Sequence, residues 1–546
     1  MILIMLMSLM MLMMIMLLLF NMTMILDFSI FVNSFIPFSF SFYLDFMSTL
    51  FSMVVMLISL LVFIYSEEYM NKDIYKSRFM WLTFFFINSM LLLIFSGNIF
   101  FLILGWDGLG LTSFLLIIYY QNNKSLNSGM LTIFTNRIGD LFIILSIIMY
   151  LFSWNSFNME MKMEFFIMIM MLLAALTKSA QFPFTAWLPA AMAAPTPISA
   201  LVHSSTLVTA GVYILIRYKF IIENNMMITL LLYLSIITMI FSGWMALYET
   251  DLKKIIAMST LSQLGLMMFM ISKNMMLFSF MHMIFHALFK SLLFLMAGII
   301  IHQYNGNQDI RNMKNNSIIM PMTMMNINVA LLAMMGIPFL SGAFSKHMFI
   351  IFFFKEEISI LMKISMFIAM TLTILYSLRL LMMLNSYSMK MNSFINLKEN
   401  LSFMLVSTML LCYLVIVMGN VIMLNIPFYQ IQLNFMEMDI LMLMLLVLSI
   451  MMILMKLNIK KLSKMILIFQ SSMWFISIWS TKIITKKFME LSFIFILSEM
   501  TWMHKSSSNQ VNFILYKTKN ILMKSLMSSS YNIIIFTVLI MLMMNM

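Results

Sequence analysis

The sequence predicts an all-α, polytopic membrane protein of about 15 transmembrane helices. Of its 546 residues, 63% are hydrophobic and only 10% are charged, and the mean hydropathy is +1.02, which excludes an ordinary soluble protein. Apolar runs long enough to cross a membrane recur from one end of the chain to the other. Because these runs are continuous and do not alternate with polar residues, they indicate helices, not the strands of a transmembrane barrel.

The predicted spans follow one another along the whole chain. They lie near residues 2–20, 46–65, 79–96, 99–120, 130–151, 165–182, 199–219, 226–247, 254–271, 277–302, 318–340, 360–386, 401–424, 440–457 and 531–546. The first run resembles the apolar part of a signal peptide. No basic flank precedes it and no clear small-residue cleavage site follows it, so we expect it to be a retained span.

Two blocks of five spans, residues 79–219 and 226–386, share an unusual pattern. Lys178 belongs to the fourth span of the first block and precedes Pro183, whereas Lys346 follows the fourth span of the second block and comes after a proline. Because five is odd, the two blocks would have opposite orientations in the membrane. The opposite order of lysine and helix break is what inverted repeats predict, so we expect two inverted five-helix repeats with broken helices.

The remaining regions complete the predicted organisation. The domains are N-terminal spans at 1–78, the first half-channel repeat at 79–219, the second half-channel repeat at 226–386, C-terminal spans at 401–457, an amphipathic region at 458–530 and a final transmembrane anchor at 531–546. In 458–530, apolar clusters alternate with lysines, which is typical of a long amphipathic helix lying laterally along a membrane or along partner subunits. A loop region, or one further span near 465–480, would also account for this composition.

The net charge of +12 segregates by side when successive loops are assigned to alternate faces of the membrane. Lysines and arginines concentrate on the face that carries Lys76, Lys124 and Lys253, and the stretch 456–530 adds more there. The positive-inside rule makes this the matrix or cytoplasmic face. The positive charge is therefore a sign of membrane topology, and it does not indicate a nucleic-acid partner.

The use of cysteine and methionine narrows the class further. Cys412 is the only cysteine, and one thiol cannot build a disulfide, an iron–sulfur cluster or a thiolate zinc site. A glycine-rich dinucleotide fingerprint following a strand is also missing, so we expect no redox centre and no cofactor in this chain. The 75 methionines, with abundant Ile, Phe, Asn and Lys, are typical of an AT-rich genome that reads an extra codon as Met, as animal mitochondria do.

Lys178 is the most informative polar residue, because it stands in an apolar run that should lie in lipid. A charged side chain at the centre of a membrane helix costs roughly 3 kcal/mol on the insertion scale, so a membrane protein keeps it when it has a partner or a task. Pro183 and Pro189 follow and predict an interruption of the helix. A buried amine beside a broken helix indicates an ion or proton path.

Two further motifs place titratable residues at membrane depth. Asp107 stands in Gly105-Trp-Asp-Gly-Leu-Gly, where glycines permit close helix approach, although it could also be an interfacial residue at a helix start. His203 follows Pro195 and Pro197, whose breaks free backbone carbonyls that must be shielded or hydrated. A hydrogen-bonded structural histidine is the alternative for His203.

The segment around residues 282–290 carries three titratable groups on one helix face. His282, His286 and Lys290 are spaced four residues apart, which predicts a polar stripe. The acid of a zinc-protease motif is missing, so we expect no metal site. Further charges and breaks support the path, although the Asp251 and Lys254 group could equally be a solvated helix start. The supporting residues are Arg137, Asp140, Pro183, Asp251, Lys254 and Pro338.

Taken in order, these stretches resemble the antiporter-like membrane subunits of mitochondrial NADH:ubiquinone oxidoreductase, respiratory complex I. The matching stretches are the motif around Asp107, the run 178–217, the segment 250–265, the helix 282–290 and Phe344-Ser-Lys346. The similarity covers roughly residues 44–385 and also the amphipathic C-terminal region. In that family the residues matching Lys178 and Lys346 are channel lysines, and the one matching Asp107 is the acidic partner of the first lysine.

The resemblance implies a subunit that translocates protons while other subunits oxidise NADH. The implied proton path consists of Asp107, Lys178, His203, His282, His286, Lys290 and Lys346. The chain departs from the family where Asp107 replaces a glutamate and where His347, in place of an acid, follows the second lysine. Compared with longer members of the family, the chain is expected to have about one span fewer at its N-terminus.

The resemblance further implies a multi-pass protein of the mitochondrial inner membrane. FMN, iron–sulfur clusters and NADH would be bound by other subunits of the complex. The implied partners are other complex I membrane subunits contacted by the lateral helix, accessory subunits, and phospholipids such as cardiolipin. An Mrp-type cation/proton antiporter subunit shares the channel motifs and is the alternative, but the mitochondrial composition and the lateral region favour complex I.

Overall fold

The computed structural model describes most of the chain in segments. They are residues 8, 23–31, 38–152, 165–222, 224–313, 316–338, 340–355, 359–385, 399, 402–425 and 489–498. The predicted spans at 2–20, 440–457 and 531–546 lie outside the described residues, apart from Ser8. Internal contacts divide the chain into two units, Met1–Trp474 and Phe475–Met546. In the second unit only one helix, Met489–Ser498, is described, so the predicted lateral helix at 458–530 otherwise lies outside the described residues.

The first unit is mostly helical. In chain order its elements are β1 (Met24–Phe31), β2 (Phe38–Leu44), α1 (Phe46–Tyr69), α2 (Lys76–Phe95), α3 (Ile99–Ile117), α4 (Asn123–Phe152), α5 (Phe165–Lys178), α6 (Phe184–Ala193), α7 (Thr196–Arg217), α8 (Asn225–Ala246), α9 (Leu252–Ser272), α10 (Met276–Gln303), α11 (Pro321–Met335), α12 (Ser341–Lys355), α13 (Ile360–Asn385) and α14 (Phe403–Asn425). Short helical turns lie at Ile118–Tyr120, Lys219–Ile222, Ile310–Asn312 and Asn316–Ile319.

Nine helices in the described part of the chain are long and apolar enough to cross a membrane: α1 to α4, α7 to α10, and α13. Three of them, α7, α9 and α10, are buried within the protein along their whole apolar window. These three occupy the centre of the helix bundle, and they carry His203 and the stripe from His282 to Lys290.

A β-hairpin corrects the all-α prediction. Strands β1 and β2 pair antiparallel, with Met24 opposite Leu44. The sequence of β2, Phe-Ser-Phe-Ser-Phe-Tyr-Leu, alternates apolar and polar residues, which is the period of a strand and not of a helix. The hairpin packs on α3, where the rings of Phe40 and Phe42 meet Phe101 edge-to-face at centroid distances of 5.2 and 4.8 Å.

Two helices are interrupted close to the predicted channel lysines. Helix α5 ends at Lys178, and the short helix α6 follows after a turn. The predicted span at 318–340 is wrong in its extent, because α11 stops at Met335 and Lys346 belongs to a separate helix, α12. Gly336 ends α11 in the left-handed conformation, with φ of 90°, and Pro338 cannot continue it.

Charged side chains from distant segments complete the ends of several helices. The carboxylate of Glu399 accepts the backbone N–H groups of Met322 and Thr323 at the start of α11, at 3.0 and 2.8 Å. Glu68 accepts the N–H of Met404 at the start of α14 at 3.0 Å. These contacts satisfy N–H groups that a helix start leaves without an intrahelical acceptor, so they hold α11 and α14 in place.

On the opposite face, Arg217 forms an ion pair with Asp45, the residue that precedes α1. The guanidinium group of Arg217 also lies 4.7 Å from the centre of the Tyr43 ring in β2. The two contacts tie the hairpin and the start of α1 to the end of α7. Arg217 therefore anchors the helix that carries His203 at one of its ends.

Helix α12 is fixed by its packing against α9 and α11. The rings of Phe349 and Phe353 meet Phe269 of α9 at centroid distances of 5.5 and 5.2 Å. At its other end, Gly342 faces α11 so closely that an added Cβ would lie 2.0 Å from the carbonyl oxygen of Ala333. Such close helix contact through a small residue is a common means of association in membranes, where packing replaces the hydrophobic effect.

Replacing Gly342 by Ala should destabilise the protein by about 1–3 kcal/mol or more, because the backbones of α11 and α12 must separate to admit the methyl group. Thermal unfolding in detergent measures this as a lowered midpoint. Gly110→Ala is the matched control, since no atom lies within 4 Å of the added Cβ and its midpoint should stay the same or rise. Equal midpoints for the two variants would contradict the close packing of α11 on α12.

Candidate functional site

Lys178 is completely buried at the end of α5. Its ammonium group donates a hydrogen bond of 2.6 Å to the backbone carbonyl of Trp106 in α3 and lies 4.1 Å from the centre of the Trp106 ring. The direct partners of this cation are therefore a carbonyl dipole and an aromatic face, both neutral. A lysine held in this way is not neutralised by a carboxylate in direct contact.

The acidic groups near Lys178 are organised by Arg137 of α4. The guanidinium of Arg137 lies 3.7 Å from the carboxylate of Asp107 and 3.1 Å from that of Asp140. Both carboxylates lie near enough to the ammonium group of Lys178 to attract it. The predicted pair of Asp107 and Lys178 is thus part of a four-residue charge cluster, in which Asp107 contacts Arg137 and its neighbour Trp106 contacts the lysine.

Tertiary contacts hold the turn that follows Lys178. The indole N–H of Trp187 donates to the carbonyl of Thr177 at 3.1 Å, and the hydroxyl of Thr238 donates to the side-chain oxygen of Gln181 at 2.7 Å. Ala180 adopts a left-handed backbone with φ of 53°. Pro183 lies in this turn, as the sequence predicted. The free end of α5 is therefore closed by α6 and α8, and Lys178 stays at a defined position.

His203 lies in a π-helical stretch, Ser199–Thr206, within α7. The side chain is buried, and among the described residues neither ring nitrogen has a hydrogen-bond partner. Its ring lies 6.3 Å from that of Trp187, centre to centre. Buried polar atoms are nearly always hydrogen-bonded in proteins, often to an ordered water, so water is the partner expected for His203.

His282 in α10 has a polar side chain within hydrogen-bond distance of each of its ring nitrogens. One ring nitrogen, Nδ1, is 2.8 Å from the hydroxyl of Ser345, and the other, Nε2, is 3.2 Å from the side-chain oxygen of Gln263. Gln263 donates in turn to the hydroxyl of Tyr376 at 3.2 Å. Because Ser345 directly precedes Lys346, this network links α9, α10, α12 and α13 beside Lys346.

Lys290 and Lys346 converge on one residue of α11. Lys290 donates to the hydroxyl of Ser259 at 2.5 Å and to the sulfur of Met334 at 3.1 Å, while Lys346 donates to the carbonyl of Met334 at 2.5 Å. His347 donates through Nε2 to the carbonyl of Gly336 at 2.7 Å. The two buried lysines thus share a neutral neighbour, and carbonyls freed at the end of α11 act as their acceptors.

The structure brings the predicted residues together in two groups. The first group is Asp107, Arg137, Asp140 and Lys178, and the second is His282, Lys290 and Lys346. His203 and His286 are buried, and among the described residues no ring nitrogen of either histidine has a hydrogen-bond partner. Asp251 and Lys254 lie apart, as a partly exposed ion pair of 2.8 Å at the start of α9.

Several residues of these groups were missed by sequence reasoning. They are Trp106, Ser259, Gln263, Met334, Ser345 and Tyr376. Gln263 could have been found, because a glutamine within an apolar helix needs a partner as much as a lysine does. The carbonyl contacts of Met334 and Trp106 could not, since every residue carries a backbone carbonyl and only the fold brings the Met334 sulfur and the Trp106 ring beside a lysine.

Comparisons with known proteins agree on one family. The family model described as NADH:quinone oxidoreductase/Mrp antiporter, transmembrane part, matches residues 96–367, and that of NADH-ubiquinone oxidoreductase (complex I), chain 5 N-terminus, matches residues 30–80. The NADH-ubiquinone oxidoreductase chain 5 of Lumbricus terrestris is 37% identical over 528 residues, covering 94% of this chain and 92% of that protein.

Other relatives match a shorter part at higher identity. The protein of the same name from Aedes aegypti is 49% identical over 347 residues, which cover 62% of this chain and 60% of that protein. The chain thus matches less than two thirds of the length of this Aedes protein. A chain of the Mrp complex from Dietzia has the same fold, with a TM-score of 0.74 over 93% of this chain and 57% of its own length, at 22% sequence identity.

Replacing Gln263 by Leu should lower the stability of the helix bundle by about 1–3 kcal/mol, because it leaves Nε2 of His282 without its acceptor. Thermal unfolding in detergent-solubilised membranes is the measurement. Gln303→Leu, at the last residue of α10, is the control and should leave the midpoint nearly unchanged. A Gln263→Leu protein as stable as the unsubstituted one would show that the network does not hold His282.

Proposed function

The chain belongs to the NADH-ubiquinone oxidoreductase chain 5 family, and we propose that it is a core membrane subunit of a proton-pumping NADH:ubiquinone oxidoreductase. In this role it moves protons across the membrane, and other subunits hold FMN, the iron–sulfur clusters and NADH and carry out the redox reaction. The matching family models and the relatives, which are named as complex I chain 5, support this proposal. The contacts of the buried lysines support it as well, because they suit proton transfer.

The observation that carries the proposal is the burial of three lysines among neutral partners. Lys178 and Lys290 are fully buried and Lys346 is 2% exposed, and their direct partners are carbonyl, hydroxyl and thioether groups. A charge at membrane depth is costly, and residues that carry one pair with each other or with backbone carbonyls and commonly mark ion or proton pathways. A lysine that has no direct counter-charge among the described residues is suited to take up and release a proton.

The cluster around Arg137 can act as the switch for Lys178. At an effective dielectric constant near 20, unit charges about 8 Å apart interact by about 2 kcal/mol, and at about 4 Å by about 4 kcal/mol. Moving a proton against about 180 mV costs roughly 4 kcal/mol. A shift of Asp107 or Asp140 from Arg137 toward Lys178 therefore changes the stability of the protonated lysine by an amount comparable to the work of pumping.

His203 and His286 would relay the proton between the two groups. Their ring nitrogens have no hydrogen-bond partner among the described residues, so water molecules are their expected partners. A chain of water molecules can carry a proton between groups that are not in direct contact. His282, held by Ser345 and Gln263, would then pass it toward Lys290 and Lys346. The π-helical turn at His203 is of the kind that is frequent at functional sites.

The finer architecture belongs to the same proposal. The order of lysine and break, Lys178 before the turn that ends α5 and Lys346 after the turn that ends α11, supports two inverted five-helix repeats at 79–219 and 226–386. A lateral helix at 458–530 would contact other membrane subunits of the complex. The mitochondrial inner membrane, accessory subunits and phospholipids such as cardiolipin complete the expected environment.

The alternative is a subunit of an Mrp-type cation/proton antiporter, and the fold shared with the Dietzia chain is the observation in its favour. Purifying the chain from native membranes separates the two. Co-migration with an assembly that oxidises NADH supports the complex I role. Co-migration with antiporter subunits alone, without NADH oxidation, would overturn it.

Replacing Lys178 by Met in the assembled complex should abolish or strongly reduce proton pumping, because the side chain keeps its length but loses the group that accepts the proton. The ratio of protons moved to electrons transferred, measured in reconstituted vesicles, is the readout. Lys124→Met is the control, since Lys124 is an exposed lysine at the start of α4. An unchanged ratio in the Lys178→Met complex would refute the assigned role of Lys178.

A further inference from the structure

Lys253 is a buried lysine that belongs to neither of the two residue groups of the candidate site. It lies in the first turn of α9, only 5% exposed, next to the partly exposed Lys254. The first turn is the positive end of the helix dipole, where a cation is unfavourable, and burial adds a desolvation cost. A membrane protein that keeps a lysine in this position gains something specific from it.

The partner of Lys253 is a backbone carbonyl at a helix break in the other repeat. Its ammonium group donates to the carbonyl oxygen of Ala194 at 3.0 Å, over a separation of 59 residues. Ala194 is extended, with ψ of 158°, and lies between α6 and α7. The N–H groups of Ile198 and Ser199 donate to the carbonyl of Pro195, so they do not reach the carbonyl of Ala194.

The backbone next to Lys253 is held by hydrogen bonds to neighbouring segments. Leu252 donates its N–H to the carbonyl of Gln308 at 3.0 Å, and Ile310 donates to that of Thr250 at 3.1 Å, so the loop before α9 pairs with the loop after α10. Arg379 of α13 donates to the carbonyls of Ala246 and Glu249 at 2.9 and 2.8 Å. Lys253 therefore projects from a platform built by α8, α9, α10 and α13.

The carbonyl that Lys253 holds lies immediately before the helix of His203. Helix α7 begins at Thr196, two residues after Ala194, and its π-helical stretch begins at Ser199. Arg217 anchors the far end of α7, and Lys253 holds the near end. A π-helical stretch is a rare, local departure from the α-helical hydrogen-bond pattern, so we infer that the position of His203 depends on how both ends of α7 are fixed.

We propose that Lys253 is a positioning residue, which holds the Ala194 carbonyl and thereby fixes the π-helical turn that presents His203. Through this contact the platform that carries the His282 to Lys290 helix is connected to the helix of His203. The two predicted repeats are then linked by a hydrogen bond from a lysine ammonium group to a backbone carbonyl at a helix break. The proposal rests on the proposed function only for its effect on pumping, since the effect on α7 is independent of it.

Replacing Lys253 by Met in the assembled complex tests the proposal. The loss of a hydrogen bond from a charged donor should make the backbone amides of residues 198–206 exchange with deuterium at least about tenfold faster. The proton-to-electron ratio should fall in the same sample. Lys253→Arg, which keeps both charge and donor, should restore the slow exchange and most of the ratio.

Lys76→Met is the matched control, because Lys76 is also in the first turn of a spanning helix but pairs with Glu67 at a more exposed site. It should alter neither the exchange of residues 198–206 nor the ratio. A merely structural role of Lys253 predicts faster exchange throughout α9 and no recovery by arginine, and either result would overturn the proposal. Unchanged exchange in Lys253→Met would overturn it as well.

The outcomes separate this proposal from the proposed function. If Lys178→Met pumps normally, the proton-path assignment fails, while the exchange result still decides the role of Lys253. If Lys253→Met does not assemble, Lys253→Arg and Lys253→Gln decide. The proposal then requires normal exchange of residues 198–206 in the arginine variant and faster exchange in the shorter, neutral glutamine variant, and equal exchange in both would refute it.

Discussion

In a chain this apolar, each polar group at membrane depth must find its partner inside the protein, because lipid offers none. This constraint explains why the buried lysines and the helix breaks occur together. A break leaves carbonyls without helical donors, and a lysine supplies donors without needing a carboxylate. Lys346 and Lys253 donate to carbonyls at helix ends, those of Met334 and Ala194, whereas Lys178 donates to the carbonyl of Trp106 within α3.

This pairing satisfies the carbonyl dipole but leaves the charge of the lysine uncompensated, and that makes it useful. A salt bridge would stabilise the protonated lysine in one state. A carbonyl stabilises it less strongly, so a nearby carboxylate can still shift the balance. Around Lys178 those carboxylates are shared with Arg137, which makes the cluster a set of competing pairs and not a single fixed bond. The second group has Met334 between two lysines instead.

The helices and the titratable residues were largely predictable from the sequence, because apolar runs and charges within them are local features. Each of the nine long helices of the described residues overlaps a predicted span, and a break follows Lys178 where prolines predicted it. The β-hairpin was missed because a search for apolar runs long enough to span a membrane does not detect strands of eight and seven residues, although the alternation in β2 was visible. The end of α11 was misplaced because an apolar sequence continues past Gly336, and only the left-handed turn there stops the helix.

By itself, the sequence determined that this is a membrane protein of many helices and that Lys178, the His282 stripe and Lys346 are titratable groups in or beside apolar runs. The physical reason is that a charge in an apolar run is costly wherever the run is placed. Only the tertiary structure decided which group each lysine touches. Those acceptors are mostly backbone carbonyls, and whether a carbonyl is free depends on where helices end and which helix packs beside them, which no residue identity records.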